Sequence, residues 1–142
     1  MLLLSENPPR AAICDYGKAI QAEVSRDTHI GPIHTLAPEV WTAAENGYTH
    51  SIDVWAFGYA IAGILGYRPG APYPRISLDR HKEILDKLRT HAERVPEDEG
   101  VVDLAIRMLA WNPSQRLTAA EALEHGCWAP IRTPFSGPRI GR

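Results

Sequence analysis

The chain opens on an apolar run, Leu2-Leu3-Leu4, crosses the polar stretch Ser5-Glu6-Asn7-Pro8-Pro9, and turns apolar again at Ala11-Ala12-Ile13-Cys14. Two short apolar runs around a proline-containing turn cluster predict a β-hairpin. Residues 18–35 are polar without a sustained period and predict an exposed loop. Ala37-Pro38-Glu39 starts a short helical turn, because proline suits the first turn of a helix. The strongest helix is predicted over 51–66, with Ser51 as its cap and Gly66 as its stop. Its apolar residues run round most of the circumference, which predicts a central, buried helix. Residues 78–91 are amphipathic, with Leu78, Ile84, Leu85 and Leu88 at helical spacing. A third helix over 101–111 is stopped by Asn112-Pro113. Thr118-Ala119-Ala120-Glu121 is a T-x-x-E capping box that opens a fourth. From Pro130 the chain is rich in proline, glycine and arginine, which predicts a flexible tail over 130–142. The expectation is a mainly α chain: a short N-terminal hairpin, a long loop, then about four helices.

Composition adds limits. The 142 residues suit one domain, and 44% hydrophobic with 23% charged residues is an ordinary globular balance. A formal net charge of −2 argues against a general nucleic-acid or anionic-membrane surface. Cys14 and Cys127 are too few and too far apart for a disulfide framework or a zinc site, and are read as reduced thiols of an intracellular protein, cytoplasmic or nuclear. Met1-Leu2-Leu3-Leu4 has no basic flank and is too short for a signal sequence. The apolar stretch 54–65 is too short to span a bilayer. The six histidines show no metal-ligand spacing and are read as solvated or capping residues.

The chemistry lies in four motifs that occur in order. They are Asp15-Tyr16-Gly17, Ala37-Pro38-Glu39, the helix start Ser51-Ile52-Asp53-Val54-Trp55-Ala56-Phe57-Gly58, and Asp103-Leu104 followed by Asn112-Pro113-Ser114-Gln115-Arg116-Leu117-Thr118. Each alone is weak: Asp15 by itself reads first as a turn aspartate before glycine, and the alternative for Glu39 and Arg116 is two unrelated surface charges. Together, with matching strand, loop and helix contexts, they resemble the C-terminal lobe of protein kinases, Ser/Thr type, over residues 2–128. Asp15-Tyr16-Gly17 resembles D-F-G, Ala37-Pro38-Glu39 matches A-P-E, and Asp53 to Gly58 looks like D-x-W-S-x-G with Ala56 in the serine position.

The resemblance implies roles. Asp15 would bind the Mg²⁺ that bridges the phosphates of ATP, a hard cation suited to a carboxylate. Gly17 would let the backbone turn into an activation segment over 15–39, where Ser25, Thr28 and Thr35 are candidate phosphate acceptors or plain solvated hydroxyls. Glu39 and Arg116 would pair, tying that segment to the late helices. Asp53 would hold the backbone of the catalytic loop, while Trp55 and Gly58 would be structural. The helix over 78–91 and the activation segment would meet protein substrates or partners. Two features depart from the G-T-x-x-Y-x-A-P-E pattern: Pro32 stands in the threonine position and Thr35 in the tyrosine position.

A glycine-rich loop, a strand lysine and an H-R-D-x-x-x-x-N catalytic loop are absent from the sequence. By the motif alignment the family's asparagine would fall just before Met1. The expectation is a partial kinase domain over 1–129 that carries no catalytic base and is inactive alone. The alternative is a non-catalytic, kinase-like module that binds protein partners.

Overall fold

The computed structural model describes residues 2–6, 9–31, 35–67 and 76–131. Two strands, β1 (Leu2–Glu6) and β2 (Pro9–Ala12), pair antiparallel, with Leu2 opposite Ala12 and Glu6 opposite Pro9. The register slips between Leu3 and Ser5. The second strand opens two residues before the apolar run that marks it in the sequence and ends at Ala12, so Ile13 and Cys14 lie beyond it. A 3-10 turn over Pro38–Thr42 leads into one turn of helix, α1 (Ala43–Asn46). The longer helices are α2 (Ser51–Ile64), α3 (Leu78–Arg94) and α4 (Glu99–Met108), and the short α5 (Ala119–Leu123) follows. The chain remains in a 3-10 turn over Gly126–Ile131, into the start of the expected tail, and residues 132–142 lie outside the described residues. None of the described helices is long and apolar enough to cross a membrane.

The helix ends follow the local chemistry, with one correction. Ser51 does not cap α2. His50 occupies that position without a side-chain cap bond, and the Ser51 amide donates to Thr49 Oγ1 at 3.3 Å. Gly66 does stop the helix. It sits in the left-handed region at φ 88°, its amide donates to the Gly63 carbonyl at 3.2 Å, and the Tyr67 amide donates to the Ala62 carbonyl at 2.8 Å. These two bonds make a Schellman motif, which glycine enters without a Cβ penalty. Ser77 caps α3 by accepting from the Arg80 amide at 3.2 Å. The capping box of α5 is complete in both directions: Thr118 Oγ1 accepts from the Glu121 amide and Glu121 Oε2 from the Thr118 amide.

Helix α4 packs against both α2 and α3, and the core forms along it. Trp55, Leu88, Leu104, Leu109 and Val40 are its largest fully buried side chains. Gly58 lets α2 approach α4 closely, because a Cβ there would lie 2.9 Å from Met108 Cβ and 3.1 Å from Leu109 Cγ. Two expectations change here. Helix α2 is not buried all round: Val54, Trp55, Tyr59, Ile61 and Ala62 face the core, whereas Phe57 is 47% and Ile64 83% exposed. The buried stripe of α3 is His81, Ile84 and Leu88, with Leu85 half-buried and Leu78 in solvent. Apolar character around a helix shows which positions resist water, and says nothing of the neighbour that would cover them.

Candidate functional site

Residues 13–37 run from β2 to the 3-10 turn and hold the first group of candidate residues. Asp15 sits in the left-handed region at φ 67°, a conformation that aspartate tolerates better than most side chains. The turn therefore depends on Asp15 rather than on Gly17, which is not left-handed. The Asp15 carboxylate is exposed. It lines a cavity of about 550 Å³ together with Lys18, Asp53 and the apolar Ile30, Leu36 and Ile52. Tyr16 turns its ring to solvent and donates its hydroxyl to the Ile13 carbonyl at 3.2 Å. Asp53 is exposed on the first turn of α2. Its charge suits the positive end of the helix.

The middle of this loop is stapled rather than free. Ser25 and Tyr48 exchange backbone hydrogen bonds at 2.9 and 2.8 Å, and the Tyr48 hydroxyl donates to the Asp27 carbonyl at 2.8 Å. The close approach requires Gly47, which has φ 72° and leaves no room for a Cβ: one would lie 2.5 Å from Val24 Cγ1. Ser25 Oγ accepts from the Asp27 amide at 3.2 Å and is half-buried, as are Thr28 and Thr35. Ile30 is buried, so the expected exposed loop has an apolar foothold. Residues 32–34, including Pro32, lie outside the described residues.

The loop ends on an anchor. Ala37, Val40 and Ala43 are buried, and Pro38 opens the turn that carries Glu39. Arg116 Nη1 donates to Glu39 Oε1 at 2.6 Å and Nη2 to Oε2 at 3.0 Å, a two-pronged contact between residues 77 positions apart. The same guanidinium donates to the Ser51 carbonyl at 2.9 Å and, through Nε, to the Ala110 carbonyl at 3.1 Å. Ser51 Oγ donates to Glu39 Oε1 at 3.4 Å, and the Arg116 Cζ lies 5.0 Å from the centre of the Trp55 ring. The Arg116 side chain is wholly buried. A buried charge with four hydrogen bonds and a paired carboxylate meets the conditions under which an interior ion pair is sustainable.

Among the described histidines, His81 and His91 depart from the solvated or capping reading, while His125 keeps it by accepting the Cys127 amide through Nδ1 at 3.3 Å. His81 is 3% exposed and stacks on Trp55. Burial first, then the nearby Arg116 and Arg89 guanidiniums, pushes its pKa down to about 4, so the ring is neutral. His91 bridges Asp98 at 2.6 Å and the Tyr67 hydroxyl at 3.2 Å, joining α3 to the turn before α4. His125 bonds Asp103 at 2.9 Å, and Arg107 reaches the same carboxylate oxygen. Burial raises the Asp103 pKa, but the bonds from His125 and Arg107 outweigh it and hold the carboxyl below its ordinary range. Residue type alone does not separate a buried histidine from a solvated one. Only the i, i+3 and i+7 spacing of His81, Ile84 and Leu88 marks it.

The stretch thus begins at an exposed aspartate after a β-strand and ends at an A-P-E turn gripped by a late arginine. The family model for the protein kinase domain matches residues 2–128, and the chain belongs to that family. Among curated proteins it is similar to ribosomal protein S6 kinase alpha-1 of Rattus norvegicus, 33% identical over 131 residues, with 85% of this chain and 17% of that protein covered. It is 29% identical to mitogen-activated protein kinase 2 of Arabidopsis thaliana, covering 89% of this chain and 42% of that one. It is 25% identical to mitogen-activated protein kinase HOG1 of Wallemia muriae, covering 96% and 59%. The chain thus spans less than two thirds of the length of these relatives, which are eukaryotic Ser/Thr kinases.

Proposed function

We propose that this chain supplies the metal-holding aspartate, the activation segment and a helical platform for protein partners to a Ser/Thr-type protein kinase domain, and that alone it transfers no phosphoryl group. The observation that carries this reading is the Glu39–Arg116 contact, which ties the end of the segment that Asp15 begins to the late helical region. Asp15 is an exposed carboxylate on the wall of a cavity. Mg²⁺ takes one or two carboxylates and completes its shell with water and phosphate oxygens, so a lone aspartate fits a cation shared with ATP. No group of three ligating side chains occurs among the described residues, so a cage formed by them alone is not the model for this site. When bound, the cation would offset charge on the transferring phosphoryl group. The base that accepts the substrate proton belongs to an H-R-D-type loop that the sequence does not contain.

The remaining assignments go with this reading. Ser25, Thr28 and Thr35 are candidate acceptors of a regulatory phosphate, and the half-burial of all three means that the loop must open to be modified. The exposed side of α3, with Lys82, Glu83, Asp86 and Lys87, is where protein substrates or partners would dock. The location is intracellular, cytoplasmic or nuclear, and nucleic acid is not a partner.

The test is a chimera in which residues 2–128 replace the matching stretch of a Ser/Thr kinase that retains its own glycine-rich loop, strand lysine and catalytic loop. The chimera is expected to phosphorylate that kinase's substrate, and Asp15→Ala to reduce the rate at least about a hundredfold, the scale on which electrostatic stabilisation acts. A folded chimera whose activity is indifferent to Asp15→Ala would sink the metal assignment. The second reading, a non-catalytic partner-binding module, is favoured by the exposed Phe57 and Ile64 on α2. It requires the purified chain to unfold in one cooperative transition, and a non-cooperative melt would remove it.

A further inference from the structure

Behind the anchor lies an aromatic cluster that brings α3 to the same place. The His81 ring stacks on Trp55 with centroids 5.2 Å apart and planes 28° apart, and lies 5.3 Å from the Trp111 ring. Trp111 meets Trp55 edge-on at 6.2 Å. Arg116 Cζ stands over the Trp55 ring at 5.0 Å, and the same guanidinium holds Glu39. Trp55 is fully buried, and among the described residues its Nε1 and the Nδ1 of His81 have no hydrogen-bond partner. No polar contact therefore fixes either ring at those atoms, and their positions depend on packing against each other. The charged groups that act on His81 are Arg116, from the loop before α5, and Arg89 on its own helix; the rings it meets from α2 and the loop after α4 are the uncharged Trp55 and Trp111.

We propose that His81 is a positioning residue for the activation-segment anchor: its flat ring holds Trp55 where the indole face receives Arg116, and so couples the placement of α3 to the grip on Glu39. This rests on the reading of Glu39–Arg116 as the anchor. A cation over an indole face gains energy only in a narrow range of positions, so a shift of the indole is felt by the guanidinium. A flat ring stacked on that indole limits such a shift, and a branched aliphatic side chain of similar volume does not. The consequence is directional. A protein that grips the exposed side of α3 and moves the helix would move His81, and would tighten or loosen the end of the activation segment without touching it.

The test is amide hydrogen exchange on the full chain. It compares the Val40 amide, bonded to the Ala37 carbonyl beside the anchor, with the Leu109 amide, bonded to the Ala105 carbonyl at the end of α4. Glu39→Gln alone is expected to lower protection at Val40 relative to Leu109, and if it does not, the anchor reading itself fails. Given that loss, His81→Leu is expected to lower Val40 protection by roughly tenfold relative to Leu109, the size of coupling between contacting residues. His81→Phe, which keeps a flat uncharged ring, is expected to restore it. In the Glu39→Gln background, His81→Leu should add little at Val40. If His81→Leu lowers both amides equally, or acts in full on top of Glu39→Gln, His81 is core packing and the coupling is refuted while the anchor stands. If the leucine variant does not fold, Phe against wild type decides: protection at Val40 unchanged relative to Leu109 supports the proposal, and a selective loss overturns it.

Discussion

Glu39 and Arg116 show how much one buried pair decides. Removing one partner leaves the other charge in the interior without compensation, which costs about 3–5 kcal/mol. Arg116→Met is therefore expected to lower the unfolding free energy by that amount in urea denaturation. Adding Glu39→Leu should recover part of the loss, because neither charge then remains. The two residues are legible in the sequence, since a family motif and a late arginine name them. The rest of the network is not. Two of the four Arg116 bonds go to the backbone carbonyls of Ser51 and Ala110, and a carbonyl looks the same under every side chain. Ser51 is misread for the same reason: a serine before an apolar run is a good cap, but here its hydroxyl reaches the Glu39 carboxylate instead.

His81 makes a second prediction at this scale, with a sign. Its folded pKa, about 4, lies below the ordinary 6.5, so the unfolded chain binds a proton in that interval that the native chain does not. Stability is complete above about pH 6.5 and falls as the pH drops toward 4, by on the order of 3 kcal/mol. His81→Phe should flatten that interval in a series of urea melts. Asp103 acts lower on the scale. Its folded pKa is depressed, so its contribution is present above the ordinary carboxylate range and is lost only as the pH falls through the lowered value. A profile unchanged between pH 6.5 and 4 by His81→Phe would mean that the ring is not held neutral by its surroundings.

Among the elements, α2 against α4 is the decisive contact. Gly58→Ala places a methyl group 2.9 Å from Met108 Cβ, too close without a shift of one helix, and is expected to cost about 1–3 kcal/mol. Differential scanning calorimetry should register this as a lower melting temperature, with α-helical circular dichroism retained below it. Thr118→Ala removes one arm of the capping box and should cost about 1 kcal/mol. The stop at Gly66 and the cap at Thr118 are readable in the sequence, whereas the Ser77 cap of α3 is not among the sequence expectations. The buried stripe of α3 was only half readable, because Leu78 has the right spacing but falls on the rim, while His81 fills the core position a turn later. The staple between Ser25 and Tyr48 left no signal in the sequence beyond Gly47, a lone glycine whose need for φ 72° appears only when the strand-like bridge is seen.

Across the whole molecule, chemistry and architecture divide unevenly. The chain carries Asp15, proposed to hold the metal and to begin the proposed activation segment, the Glu39–Arg116 pair and the helices behind it. The residues that would close over ATP and take the substrate proton are not in the sequence. On α2, Phe57 and Ile64 remain in solvent. The most direct measurement is transfer of labelled γ-phosphate from Mg²⁺–ATP to a generic protein substrate by the purified 142-residue chain. The account predicts no incorporation above that of Asp15→Ala. Incorporation by the wild-type chain that disappears in Asp15→Ala would contradict it, because a chain without the catalytic loop would then be carrying out the full reaction.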